Sequence, residues 1–184
     1  MKLARLPKKP SVMVAFMVML SFTLPLRGYG ITEDNPQLTQ LLADADQEAL
    51  ELANDADHTQ GLIRSDENWV NHALMLAKVK GHLDNLALII EKLSDREKSG
   101  SDLQKQAIDQ MLPLVKELSA NTTAAINFLN QNKNRPTSPT YTQYLKKNAE
   151  TAHQLSSMIS SLVDYEKSMT QIEKLRSNLG GSGD

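Results

Sequence analysis

Four stretches of the chain repeat apolar side chains every three or four positions, each fenced by residues that start or stop helices. The clearest is Trp69, His72, Leu76, Val79, Leu83, Leu86, Ile90 and Leu93. Its 3-4-3-4-3-4-3 spacing is the 3.5-residue period of helices that supercoil against one another. Ser65, followed by Asp66 and Glu67 at the positive end of the dipole, predicts the start of this helix. The charged run Asp95-Arg96-Glu97-Lys98 and then Gly100 predict its end.

The other three stretches are read the same way. Asn35-Pro36 is a cap followed by a proline at the first helical position, where the missing N–H costs nothing. From there a helix is predicted to about residue 62, with Leu38, Leu42, Ala45, Ala49, Leu52 and Ala56 on one stripe. The alanines predict close approach to a neighbour. Ser101-Asp102-Leu103-Gln104 reads as a capping box ahead of a third stripe, Ile108, Met111, Val115, Leu118, Thr122, Ala125 and Leu129. Pro113 sits inside that pattern but off the stripe, which predicts a kink there or, alternatively, a break. A loop of Asn, Lys and Pro spans 130–139, and Ser138-Pro139 starts a fourth and longest helix with Leu145, Ala152, Leu155, Ile159, Leu162, Met169 and Ile172. Residues 178–184 carry no pattern and are expected to be a mobile tail.

Matched lengths, short connections and one apolar stripe each predict an all-α fold, an up-down-up-down four-helix bundle over residues 31–177. The alternative is an extended helical pair that forms a homodimer, which the mass in solution separates from the bundle. Aromatic residues make up only 4% of the chain against 40% hydrophobic, so the core must be built from Leu, Ile, Val, Met and Ala.

Residues 1–30 do not belong to that pattern. Lys2, Arg5, Lys8 and Lys9 precede a run at 11–26 without a charge, then Pro25 and Gly28-Tyr29-Gly30. This is the order of a secretory signal peptide, with cleavage expected between Gly30 and Ile31. An uncleaved anchor is the competing reading, but the run is shorter than the roughly 20 residues a spanning helix needs. After cleavage the chain is expected to be periplasmic or secreted, with no stable membrane insertion.

Removing those thirty residues changes the charge. They hold five bases and no acid, which leaves 15 basic against 22 acidic residues, a net of −7 where the whole chain has −2. An acidic domain argues against nucleic acid as a partner. The chain has no cysteine, which excludes disulfides, thiolate nucleophiles, thiolate metal sites and covalent haem attachment.

Three groups of residues carry candidate chemistry. Asp44, Glu48, Glu51 and Asp55 are spaced 4-3-4 on the first helix, in a segment (31–65) with eight acids and one base, Arg64. Like charges at that spacing cost a few tenths of a kcal/mol per pair. They read as a docking face for a basic partner or weakly held cations, or as a solvated face paired with Lys78, Lys80, Lys146 or Lys147. The second group is a pole where Trp69, His72, Phe128, Tyr141 and Tyr144 are expected to meet. It reads as a pocket for a small apolar ligand or a haem bound noncovalently through His72 and a methionine, or as large side chains plugging the wider end of the bundle. The third is Glu150-Thr151-Ala152-His153, a Glu-x-x-His spacing that di-iron bundles use twice with further glutamates. Here it has only the partial echo Asp55-Ala56-Asp57-His58, and no acid stands three residues before His72 or His82, so no metal site is expected. His58 and His72 approach each other in this reading only as a two-histidine surface site.

Other catalytic arrangements are missing: there is no Gly-rich phosphate loop and no His-x-x-x-His pair. Asn121-Thr122-Thr123 matches a glycosylation triplet but falls within a helix. The Leu-Thr-x-x-Gln repeat of one periplasmic chaperone family is not found, because Leu38-Thr39 is followed directly by Gln40.

The order of Ser65, Trp69, His72 and Ala73, then Gln106, Ala107, Ile108 and Pro113, then Tyr141, Tyr144 and Leu145, then Val163-Asp164-Tyr165 resembles a group of exported bacterial four-helix proteins with no assigned activity. The resemblance spans about residues 38–175 and implies a bacterial extracytoplasmic setting. It implies no mechanism. The sequence therefore points to a binding or interaction module of the cell envelope that is not an enzyme and has no resident cofactor, with a haem or small-ligand carrier of the cytochrome b562 type as the alternative.

Overall fold

A proline has no N–H to leave unsatisfied in a first helical turn, and α1 (Pro36–Gly61) starts on one. In the computed structural model of the chain, residues 36–65, 67–96 and 102–180 are described. The signal-peptide reading and its cleavage point lie outside them. All described residues belong to one compact unit, Thr32–Asp184. Among the described residues four α-helices account for nearly all: α1, α2 (Trp69–Arg96), α3 (Asp102–Gln131) and α4 (Pro139–Gly180). Among the described residues there is no strand and no helix long and apolar enough to cross a membrane.

α1 and α2 are joined by a single 3-10 turn, Leu62–Arg64. Ser65 does not cap α2, as its position after the first stripe suggests. Its backbone N–H and its hydroxyl both return to Leu62 O, at 3.2 and 3.1 Å, and close the 3-10 turn. The cap is Asn68, whose Oδ1 accepts from the backbone of Val70 and Asn71 at 2.9 and 3.2 Å. Asn and Ser are equally good caps, so the turn geometry decides between them. Ser138 does cap α4: its Oγ accepts from Tyr141 N at 3.4 Å and its carbonyl from Thr142 N at 2.9 Å. α3 runs unbroken through Pro113, which is exposed. At its N-terminal end Gln104 donates to Glu166 of α4, while Ser101 lies outside the described residues.

Each helix packs on two others, in the cycle α1–α2–α3–α4–α1. Asp57 lies beside His153 and Asp46 beside Ser160, which sets α1 antiparallel to α4. Glu117 beside Lys147 and Gln104 beside Glu166 set α3 antiparallel to α4. The stripe of α2 from His72 to Leu93 is buried at every expected position after Trp69. So are the stripes of α1 and α3, and that of α4 as far as Leu162. One large core runs along the bundle from Leu38 to Val163. A smaller one at the α1–α2 turn gathers Leu76, Ala125, Leu129, Tyr141 and Leu145.

The stripe of α4 departs from expectation at its far end. Met169 and Ile172 are 39% and 44% exposed. α4 has 42 residues against 26, 28 and 30 in the others, so its last turns outrun the helices that would cover them. The helix also continues through Asn178 and Leu179 to Gly180, into the segment expected to be a mobile tail.

Core and surface leucines of α2 provide a direct test of this packing. Leu86 is wholly buried whereas Leu88 is 56% exposed. Leu86→Ala is expected to lower unfolding free energy by about 2–5 kcal/mol and Leu88→Ala by less than about 0.5 kcal/mol. Urea denaturation of both variants measures the contrast, and equal losses would contradict the assigned helix face.

Candidate functional site

Glu48, Glu51 and Asp55 are three and four residues apart on α1 and therefore share one flank of that helix. His82 precedes the buried Leu83 on α2 and sits on the edge of the α2 stripe that faces them. Its Nδ1 lies 2.6 Å from Glu48 Oε1 and 3.9 Å from Glu51 Oε2, and its Nε2 lies 3.3 Å from Asp55 Oδ2. Asn85, one turn further along α2, donates to the same Glu48 oxygen at 3.1 Å. Gln47 donates to Glu51 Oε1 at 3.1 Å. The side chains of His82, Glu48 and Asp55 are about four-fifths buried, while Glu51 remains half exposed. Asp44, the fourth acid of the stripe, lies outside this group and accepts from Gln40 at 2.7 Å.

The basic partner of the acidic stripe is thus a histidine and not the lysines expected to neutralise it. Lys80 pairs with Asp84, Lys146 with Glu150 and Lys147 with Glu117. Sequence reasoning passed over His82 because no acid stands three residues before it on its own helix. The signal was there in another form: His82 stands seven residues from both Met75 and Ile89, on the half-buried flank of the seam that borders a neighbouring helix.

The Glu-x-x-His of α4 faces outward. Glu150 pairs with Lys146 at 3.6 Å, and the exposed His153 places Nε2 2.8 Å from Asp57 Oδ2 of α1. Asp55 of the partial echo turns to His82 instead, and His58 is exposed while His72 is sealed in the core. The Asn121 amide is spent between helices: it donates to Tyr144 O and to the buried Asn148 Oδ1, both at 2.7 Å.

At the opposite end from the α4 overhang, the structure brings the aromatic group together. Tyr141 is fully buried, its ring 5.4 Å from that of His72 and 6.1 Å from that of Phe128. Tyr144 packs edge-on to Phe128, and Trp69, partly buried, carries Lys133 over its face at 4.4 Å. The Tyr141 hydroxyl lies 3.3 Å from His72 Nδ1. His72 Nε2, like the hydroxyl of Thr122, is buried without a hydrogen-bond partner. Burial pushes the Tyr141 phenol upward. It also holds His72 below the ordinary imidazole value, against a smaller opposite pull from Glu67.

The sign of the resulting pH dependence follows. A folded ring held neutral takes up no proton where the unfolded ring does, so the unfolded state binds more protons below the ordinary value of 6.5. The His72 contribution to stability is therefore lost as pH falls through that value, with a slope of at most about 1.4 kcal/mol per pH unit. Denaturation of wild type and His72→Leu between about pH 7.5 and pH 5 isolates it: the wild type is expected to lose stability faster on acidification, and parallel curves would refute the assignment. Comparison of the chain with known protein families, with curated proteins and with solved structures gives no match.

Proposed function

We propose that the chain is an exported binding module of the bacterial cell envelope, not an enzyme, and that it binds through the flank of α1 and α2 that carries Glu48, Glu51, Asp55 and His82. The observation that supports this reading is the concentration of three carboxylates around one imidazole, fixed across two helices of a packed bundle. A surface shaped only for solubility spreads its charges and leaves them mobile. Export rests on the basic, apolar and small-residue order of residues 2–30.

Native mass spectrometry of the protein purified from its own host, after fractionation of the cells, tests both parts. The expected species is extracytoplasmic, begins at Ile31 and carries a bound partner or ligand that the triple variant Glu48→Gln, Glu51→Gln, Asp55→Asn loses. A bare mass for both proteins would overturn the binding reading, and an unprocessed chain in the cytoplasm would overturn export.

A noncovalent haem carrier is the second reading, and the free His72 Nε2 supports it. His72 is 0% exposed and meets Tyr141 edge-on, so a macrocycle would have to open that pole to reach it. Added hemin is expected to give no Soret shift. A shift present in wild type and lost in His72→Leu would put the haem reading first.

A further inference from the structure

Resting on the binding face just described, we propose that Glu48, Glu51 and His82 form a site for a borderline divalent transition ion of the Zn2+ type, bridging α1 and α2, with Asp55 as the outer partner of the far ring nitrogen. The first argument is chemical. Both ring nitrogens of His82 face carboxylate oxygens, Nδ1 toward Glu48 at 2.6 Å and Nε2 toward Asp55 at 3.3 Å. A neutral imidazole has one N–H, so it can serve only one of the two, and its other nitrogen sets a lone pair against a lone pair. A positive centre at that nitrogen resolves the conflict. Three carboxylates around a single ring also leave the cluster net negative in either protonation state of the ring, so a divalent cation balances it better than a proton does.

The second argument is geometric. One ligand atom each from Glu48, Glu51 and His82 lie within 4.8 Å of one another. Tetrahedral bonds of about 2.1 Å place ligand atoms about 3.4 Å apart. Nδ1 and Glu51 Oε2, at 3.9 Å, need to close slightly, and Glu48 Oε1, at 2.6 Å, needs to swing back by under an ångström. Rotation of a carboxylate supplies both movements without moving a helix. Gln47 already donates to Glu51 Oε1, the oxygen not offered to the ion, and so orients that ligand as outer partners do in metal sites, while Asn85 holds Glu48 through Oε1 itself. A nitrogen donor among oxygens favours Zn2+, Ni2+ or Cu2+ over Ca2+ and Mg2+, which take oxygen alone. The partial exposure of Glu51 leaves an entry path and a position for water. The ion would tie α1 to α2 at mid-length, a non-catalytic role consistent with a binding module.

The test uses the protein as its host makes it, stripped with a chelator and titrated with Zn2+ against a chromophoric competitor, with Ca2+ and Mg2+ run in parallel. One Zn2+ per chain is expected, in preference to the other two ions. His82→Gln is expected to weaken binding by roughly tenfold to a hundredfold or more, and Glu51→Gln, a half-exposed position whose loss leaves the core intact, to weaken it to a lesser degree. His153→Gln, at a histidine–carboxylate pair outside the cluster, is expected to leave binding unchanged. Zn2+ affinity that is absent, unaltered in His82→Gln or matched by Ca2+ would overturn the metal site. If the native mass still shows a metal-free partner lost from the triple carboxylate variant, the binding face survives that failure. If it shows none, both readings fall together.

Discussion

The distance between the backbone of α1 and its two neighbours sets what the surface of the bundle can do. The buried face of α1 alternates leucine with Ala45, Ala49, Ala53 and Ala56, all within 1% of complete burial. Packed helices stand about 8–10 Å apart according to the side chains between them, and small residues such as alanine allow the close end of that range. At that separation a short side chain reaches across. His82 of α2 touches the acids on one flank of α1, and His153 and Ser160 of α4 touch Asp57 and Asp46 on the other. A stripe of leucines would have opened the gap and handed these contacts to lysines, whose long chains lose more entropy when pinned.

The same closeness explains where the charge goes. Asp44, Glu48, Glu51 and Asp55 repel one another along the helix, and the structure divides them by neighbour. Asp44 and Glu51 are met by glutamines one turn before them on α1, and Glu48 and Asp55 by His82. The lysines of α2 and α4 pair instead on exposed ground, as Lys80–Asp84 and Lys147–Glu117 do, where each ion pair contributes little. The flank of α1 and α2 is therefore the place where negative charge is both concentrated and partly withdrawn from water, the condition that makes a counter-cation worth most.

Periodicity was enough to read most of the fold. All seven buried residues of α2 from His72 to Leu93 were legible from spacing alone, because one helix face admits one register. The aromatic group was legible for a related reason: alternating helix directions force the start of α2, the end of α3 and the start of α4 to one pole, and Trp69, Phe128, Tyr141 and Tyr144 lie in those segments. What spacing could not supply was any contact between helices. His82 with Glu48 and His153 with Asp57 are pairs 34 and 96 residues apart, and which flank meets which depends on helix rotation and axial offset. A search confined to acids three or four residues from a histidine looks along one helix, and these histidines look across two. Local choices between equivalent residues were equally closed to it, as at Asn68, which takes the cap that Ser65 was equipped to form.

The far end of α4 shows the limit of pattern from the other side. Tyr165, Met169, Ile172, Leu175 and Leu179 continue an apolar stripe at spacings of four and three, yet their exposure runs from 39% to 81%. Nothing about these side chains differs from those of the core. What differs is that α1 begins at Pro36 and α3 at Asp102, so the helices that would cover them have not yet started at that level. An apolar stripe states what a helix can bury, and the lengths of its neighbours decide how much it does. At the opposite pole the α1–α2 and α3–α4 connections are both short. There the core is filled by rings, and His72 is carried inward with them, buried because of the register it shares with Leu76 and Val79 rather than despite its polarity.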